Sequence, residues 1–263
     1  MPRLAANLSL LFGELAPLDR PAAAAAAGFG GVEWQFPYDL DAGALAESVA
    51  GAGVEAVLVN TPRGPGDEAG LAAVPGRADE FRAGLERARA LAQGLGCPRV
   101  HVLAGVARGP EAVAAYVENL RWAADRLAEG GVTVCIEPLN QRDFPGYLLS
   151  GTTQALEVID AVGRPNVTLQ FDTYHLQILE GDLTTRLRSA LALVGHVQVA
   201  GVPDRHEPDQ GEVDHRWLLA ELDAAGYGGW VGCEYRPAGG TLEGLGWAAP
   251  YGIAAPGSAR GAD

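Results

Sequence analysis

Short apolar runs recur along the chain, each bounded by Gly, Pro, Asn or Asp. Between them lie longer stretches of Ala, Leu, Glu and Arg whose apolar positions repeat every three or four residues. The first pattern predicts strands at 4–10, 32–35, 54–60, 99–103, 132–137, 167–172, 196–200 and 230–235. The second predicts helices near 17–28, 42–52, 77–95, 110–129, 152–162, 182–194 and 214–225, with a weaker helical pattern at 241–248. Strands alternating with helices are the signature of βα units wound around a parallel sheet, and eight such units close into a (β/α)8 barrel. An open dinucleotide-binding sheet is disfavoured, because no Gly-x-Gly-x-x-Gly follows the first strand. The barrel is expected to occupy 1–250 as one domain. A Gly-, Ala-, Pro- and Ser-rich segment, 251–263, is expected to be a flexible tail.

Composition narrows this picture. Apolar residues make up 48% of the 263, enough for a large core, yet no apolar run approaches the roughly 20 residues of a membrane span. The start of the chain lacks the pattern of a secretory signal, so a cytoplasmic location is expected. Three cysteines, Cys97, Cys135 and Cys233, have no Cys-x-x-Cys spacing and are expected to be reduced core residues. Acidic residues number 33 against 19 basic ones, a balance of −14 that repels polyphosphates and argues against nucleic acid as a partner. All the basic residues are arginine, and the missing lysine excludes a Schiff base and a P-loop.

Strand alternation says which residues share a face, since side chains at i and i+2 point the same way. In 132–137 the residues Val132, Val134 and Ile136 suit the helix-covered face, leaving Thr133, Cys135 and Glu137 to the interior. The same parity sends Gln170 and Asp172 inward on the sixth strand, His196 and Gln198 on the seventh, and Glu234 on the eighth. Four successive strands thus bring Glu137, Asp172, Gln198 and Glu234 to the carboxyl-end rim, where barrels carry their chemistry. Buried carboxylates so crowded require a cation. Oxygen donors without a thiolate favour Mg2+ or Mn2+.

The stretches Asn7-Leu8-Ser9-Leu10-Leu11-Phe12-Gly13-Glu14, Gly31-Val32-Glu33-Trp34-Gln35-Phe36-Pro37-Tyr38-Asp39, Ile136-Glu137-Pro138-Leu139-Asn140, Gln170-Phe171-Asp172-Thr173-Tyr174-His175, His196-Val197-Gln198-Val199-Ala200 with Arg205-His206-Glu207-Pro208, and Cys233-Glu234-Tyr235 together resemble the hydroxypyruvate isomerase family of the xylose-isomerase-like TIM barrels. The resemblance runs from about residue 3 to 237. It implies a divalent metal held by Glu137, Asp172, Gln198 and Glu234, with Glu137 and Glu234 as the acid/base pair. It also implies interconversion of hydroxypyruvate and 2-hydroxy-3-oxopropanoate (tartronate semialdehyde).

Such an isomerisation moves a proton between adjacent carbons through an enediolate and needs a base, an acid and a stabiliser for the oxyanion. A carboxylate substrate in so acidic a chain also needs a positive anchor. Arg205 is the first choice, with His175 and His206 as further candidate substrate-binding residues. His101, inward on the fourth strand, is expected to be a hydrogen-bonded core histidine, with substrate contact as the alternative; His196 is expected to be structural, and Glu33 is expected near the rim, bonding a substrate hydroxyl or an arginine. Three alternatives remain beside this reading. The same site serves an isomerase or epimerase of a longer 2-oxo acid sugar, of the 2-oxo-tetronate type, or of a free ketose. A related barrel geometry cleaves DNA at abasic sites, and a non-catalytic metabolite-binding barrel would have lost one of the two glutamates. The Gly/Pro-rich loop 60–76 would size the pocket, and homo-oligomerisation is left open.

Overall fold

A computed structural model describes residues 1–66 and 68–257. Its eight strands are β1 (Arg3–Asn7), β2 (Gly31–Trp34), β3 (Glu55–Asn60), β4 (Arg99–His101), β5 (Thr133–Ile136), β6 (Val167–Asp172), β7 (Val194–Val199) and β8 (Trp230–Cys233). All neighbouring strands run parallel, and β8 pairs back onto β1, closing the expected (β/α)8 barrel. The helices are α1 (Arg20–Ala26), α2 (Ala42–Ala52), α3 (Ala78–Leu95), α4 (Gly109–Ala128), α5 (Thr152–Val162), α6 (Thr173–Leu179), α7 (Leu183–Ala190) and α8 (His215–Ala224).

The main core lies between strands and helices, where the outward strand residues Val134, Ile136, Leu169, Phe171, Val197 and Val231 meet helix residues such as Leu85, Leu120 and Ile159. A separate small cluster that includes Ala5, Leu58, Cys135 and Trp230 belongs to the inward face of the strands. Polar residues succeed it toward the carboxyl ends. Glu33, fully buried on β2, sits where Gly232 passes on β8, and a Cβ on Gly232 would lie 2.4 Å from both carboxylate oxygens. The three cysteines are free and buried.

Three local expectations are revised. The first strand ends at Asn7, because the Asn7 carbonyl accepts from the backbone N–H of Leu10 and Leu11 and turns the chain. Leu8 and Leu11 are buried in that turn, so apolarity there marks core and not strand. A short helix, α6, appears directly after β6, with the Asp172 carboxylate accepting from Tyr174 N at 2.7 Å as its N-cap. The weak pattern at 241–248 becomes a 3-10 helix, Glu243–Tyr251. Beyond it Ile253 is buried and Ala254 N donates to Ala27 O, while residues 258–263 of the expected tail, and Asp67 of loop 60–76, lie outside the described residues.

Candidate active site

Glu137 follows β5 directly and Glu234 follows β8, three strands away around the ring, and both line one cavity of about 180 Å³. Leu10, Gln35, Phe36, Asn60, His101, His175 and Arg205 line it too. Asp172 and Gln198 are paired in the β6–β7 register, each about 1% exposed, and contribute from beneath. The inward parity expected of the site strands therefore holds in the folded barrel.

Beneath the mouth runs a continuous chain of hydrogen bonds. Asn7 Nδ2 and Gln198 Nε2 both donate to Glu33 Oε1, at 2.9 and 2.8 Å, and His196 Nε2 donates to Glu33 Oε2 at 2.7 Å. An ionised carboxylate only accepts, so Gln198 must turn its NH2 down to Glu33, which aims its Oε1 upward. Gln170 Nε2 meets that oxygen at 2.7 Å and also donates to Glu137 Oε2 at 2.8 Å. Glu33 consequently belongs to the layer below the cavity. Its burial is balanced by His196 and two amides instead of by an arginine or a substrate hydroxyl.

Burial dominates the electrostatics. It raises the pKa of Glu137 well above the usual carboxylate range, with Asp172 and Glu234 adding repulsion, and it raises Asp172 likewise against the pull of Arg205. Burial also pushes Glu234 up to about 7, although Arg205 opposes this. Arg205 Nη2 lies 3.0 Å from Glu234 Oε1 and 3.5 Å from Asp172 Oδ2, and its guanidinium stacks on Tyr174 at 4.8 Å. Burial works against the Arg205 charge, yet Glu234, Asp172 and Glu137 hold its pKa above the ordinary value. Asp172 Oδ2 is buried and receives no hydrogen bond. If all three carboxylates are ionised, one guanidinium leaves two negative charges uncompensated.

The loop after β7 delivers Arg205 into this cluster. Arg205 has φ of +59°, a conformation rare for a residue with a Cβ and one found where surrounding structure enforces it. Backbone bonds on both sides hold it there: Arg205 N donates to Gly201 O at 2.8 Å, Gly201 N to His206 O at 2.9 Å and Arg236 N to Arg205 O at 2.8 Å.

His175 also reaches the cavity. Its Nδ1 accepts from Asn140 N at 3.1 Å and Asn140 Nδ2 at 2.9 Å, so the neutral ring carries its proton on Nε2, which faces Glu137 Oε1 at 4.0 Å and Asp172 Oδ2 at 3.9 Å. Burial lowers its pKa well below the usual value. Glu137, Asp172 and His175 make a buried group able to hold a metal ion, with ligand atoms within 4.8 Å of one another. His206, by contrast, is not among the cavity-lining residues and bonds through Nδ1 to Arg236 O at 2.7 Å.

Sequence patterns had not singled out Gln35, which donates to Glu234 Oε1, or Asn140, which orients His175. Parity puts Gln35 on the same inward face as Glu33, one position past the end of the strand at Trp34, while no local signal pairs it with Glu234. A second cavity, about 660 Å³, shares Phe36 and Arg63 with the first and runs over the loop after β3 toward α3.

Residues 21–251 match the sequence profile of the xylose isomerase-like TIM barrel family. The 2-oxo-tetronate isomerase of Cupriavidus necator is 48% identical over 95% of this chain and 99% of its own. The hydroxypyruvate isomerase of Escherichia coli is 42% identical over 95% of this chain and all of its own. The crystal structure of a Brucella melitensis protein described as AP endonuclease, family 2, superposes with a TM-score of 0.93 at 46% identity, covering 95% of this chain and 99% of that one. The chain belongs to the xylose isomerase-like TIM barrel family, and the motif resemblance to its hydroxypyruvate isomerase members agrees with the isomerase names of these relatives.

Proposed function

We propose that this protein is a metal-dependent aldose–ketose isomerase interconverting hydroxypyruvate and 2-hydroxy-3-oxopropanoate. The observation that carries the reading is the pair Glu137 and Glu234, set on separate sides of one small cavity with Asp172 Oδ2 unpartnered between their strands. One glutamate takes the proton from the hydroxyl-bearing carbon, leaving an enediolate, and the other returns a proton to the neighbouring carbon.

The donor set fits a divalent cation. The orphan Asp172 Oδ2, the Gln198 Oε1 turned away from Glu33, and a carboxyl cluster that one guanidinium cannot neutralise if all three ionise leave Glu137, Asp172, Gln198 and Glu234 as the residues that would hold Mg2+ or Mn2+. When bound, such an ion supplies Lewis-acid stabilisation to the oxyanion of the enediolate. In this tautomer His175 offers the site its Nε2–H, 3.9 to 4.0 Å from Asp172 and Glu137, and no lone pair, because Nδ1 is turned to Asn140. Arg205 keeps its role as anchor for the substrate carboxylate while restraining Glu234.

A second reading, a four-carbon 2-oxo-tetronate substrate, is favoured by the Cupriavidus necator relative and by the larger cavity adjoining the site at Phe36 and Arg63. The endonuclease description of the Brucella protein finds little support here, since a balance of −14 opposes a DNA backbone. The test is a panel of short 2-oxo acids and free ketoses, followed by exchange of the adjacent carbon-bound proton in D2O. Turnover of hydroxypyruvate that is lost with EDTA and restored by Mg2+ or Mn2+ is expected. Preference for the four-carbon acid selects the second reading, and full activity after complete metal removal defeats the metal assignment.

A further inference from the structure

His101 closes the inward face of β4, is about 1% exposed and lines the cavity beside Glu137. Neither of its ring nitrogens has a hydrogen-bond partner. The other buried histidines are all held. His175 accepts from Asn140, His196 donates to Glu33, and His215 lies 3.0 Å from Thr173 Oγ1 and 2.7 Å from Pro208 O. Glu137 Oε2 lies 3.4 Å from Nδ1 without a hydrogen bond, and that oxygen already accepts from Gln170.

A buried polar group without a partner costs about 1–3 kcal/mol, so a histidine serving only the core would be bonded or replaced by an apolar side chain. This expense falls on the one histidine that faces the cavity with both nitrogens unspent. The partner it lacks is therefore something that enters the cavity. The carboxylate beside Nδ1 favours a proton on that nitrogen, which leaves the Nε2 lone pair to receive one.

We propose that His101 contacts the substrate directly, its Nε2 accepting the hydrogen of a hydroxyl group on the hydroxy-oxo acid. This rests on the isomerase reading for the identity of the ligand, although the missing partner does not. The contact makes His101 a specificity residue for hydroxylated acids over analogues lacking the hydroxyl. Of the two roles open to an inward histidine on β4, core residue or substrate contact, His101 takes the second.

The test compares His101→Leu and His101→Gln with the wild type in both turnover and thermal unfolding. Leu removes both nitrogens at similar volume, and the expected result is a fall in kcat/KM of about tenfold, carried by KM, with Tm unchanged or higher. Gln keeps an acceptor and should recover part of the loss. Unchanged kcat/KM overturns the inference, as does a drop in Tm on His101→Leu, which would show the ring to be serving the core. Loss confined to kcat with a displaced pH profile also overturns it, assigning His101 to Glu137 instead. If the wild type turns over none of the panel, the isomerase reading fails by itself, and the unfolding comparison still decides whether the ring serves the fold.

Discussion

Glu33→Gln should damage a site it never touches. Two oxygens of Glu33 now accept three donors, from Asn7, Gln198 and His196. A glutamine offers one oxygen and presents an NH2 where the other stood, so at least one of these buried donors faces another donor. The smallest rearrangement is a flip of Gln198, which would turn its NH2 toward Gln170 and the cavity and remove the upturned Oε1. A switch of His196 to the other tautomer places its proton on Nδ1, a nitrogen with no acceptor. Either way one buried donor is orphaned, at about 1–3 kcal/mol. For a chain of this size that is a fall in Tm of roughly 2–12 °C. If Gln198 Oε1 is a metal ligand, the affinity for Mn2+ should also fall by about 10- to 100-fold, the usual effect of disturbing the group that orients a ligand. Calorimetry of the EDTA-treated protein reads the first effect and Mn2+ titration the second. Unchanged Tm in the metal-free protein would refute the hydrogen-bond chain itself. Lowered Tm with undiminished Mn2+ affinity would retain the chain and remove Gln198 from the metal site.

Other consequences are open to simpler tests. Glu137→Gln and Glu234→Gln should each lower isomerase turnover by at least about 100-fold while near-ultraviolet circular dichroism stays native, because the proton transfer is lost and the shape is kept. Near-normal turnover in either variant removes that residue from the acid/base pair. In the metal-free protein, the stability of the wild type relative to Glu234→Gln should fall as pH rises from about 4.5 to 7 and then level off. A carboxyl raised to about 7 in the fold favours the folded state below its ordinary pKa and loses that contribution as pH passes through 7. Burial lowers the pKa of His101 and His175, which makes stability rise with pH up to about 6.5, but this contribution is common to the wild type and Glu234→Gln and cancels in their difference. A difference that stays constant with pH would place the ionisation elsewhere.

Much of the barrel was legible because its signals are local. Period-two alternation in Val132-Thr133-Val134-Cys135-Ile136-Glu137 needs only neighbouring residues to say that Glu137 faces inward, and the same holds for Asp172, Gln198 and Glu234. Alternation fails where a strand stops. It takes the buried turn at Leu8 for strand, misses α6 because a seven-residue helix shows too few periodic positions, and turns Gln35 to the face of Glu33 without naming its partner Glu234.

The positions and kinds of the rim residues were thus determined by the chain alone, since a side chain's face follows from its own strand. Which of them have partners was decided only by closure of the barrel. Glu33 meets His196 across 163 positions of chain, and Arg205 reaches Glu234 only because the loop after β7 folds back on Gly211. His206, its sequence neighbour, turns instead to Arg236. Hydrogen bonding depends on distances between strands remote in sequence, which no local pattern encodes. The same closure leaves His101 buried, facing the cavity and without a partner of its own.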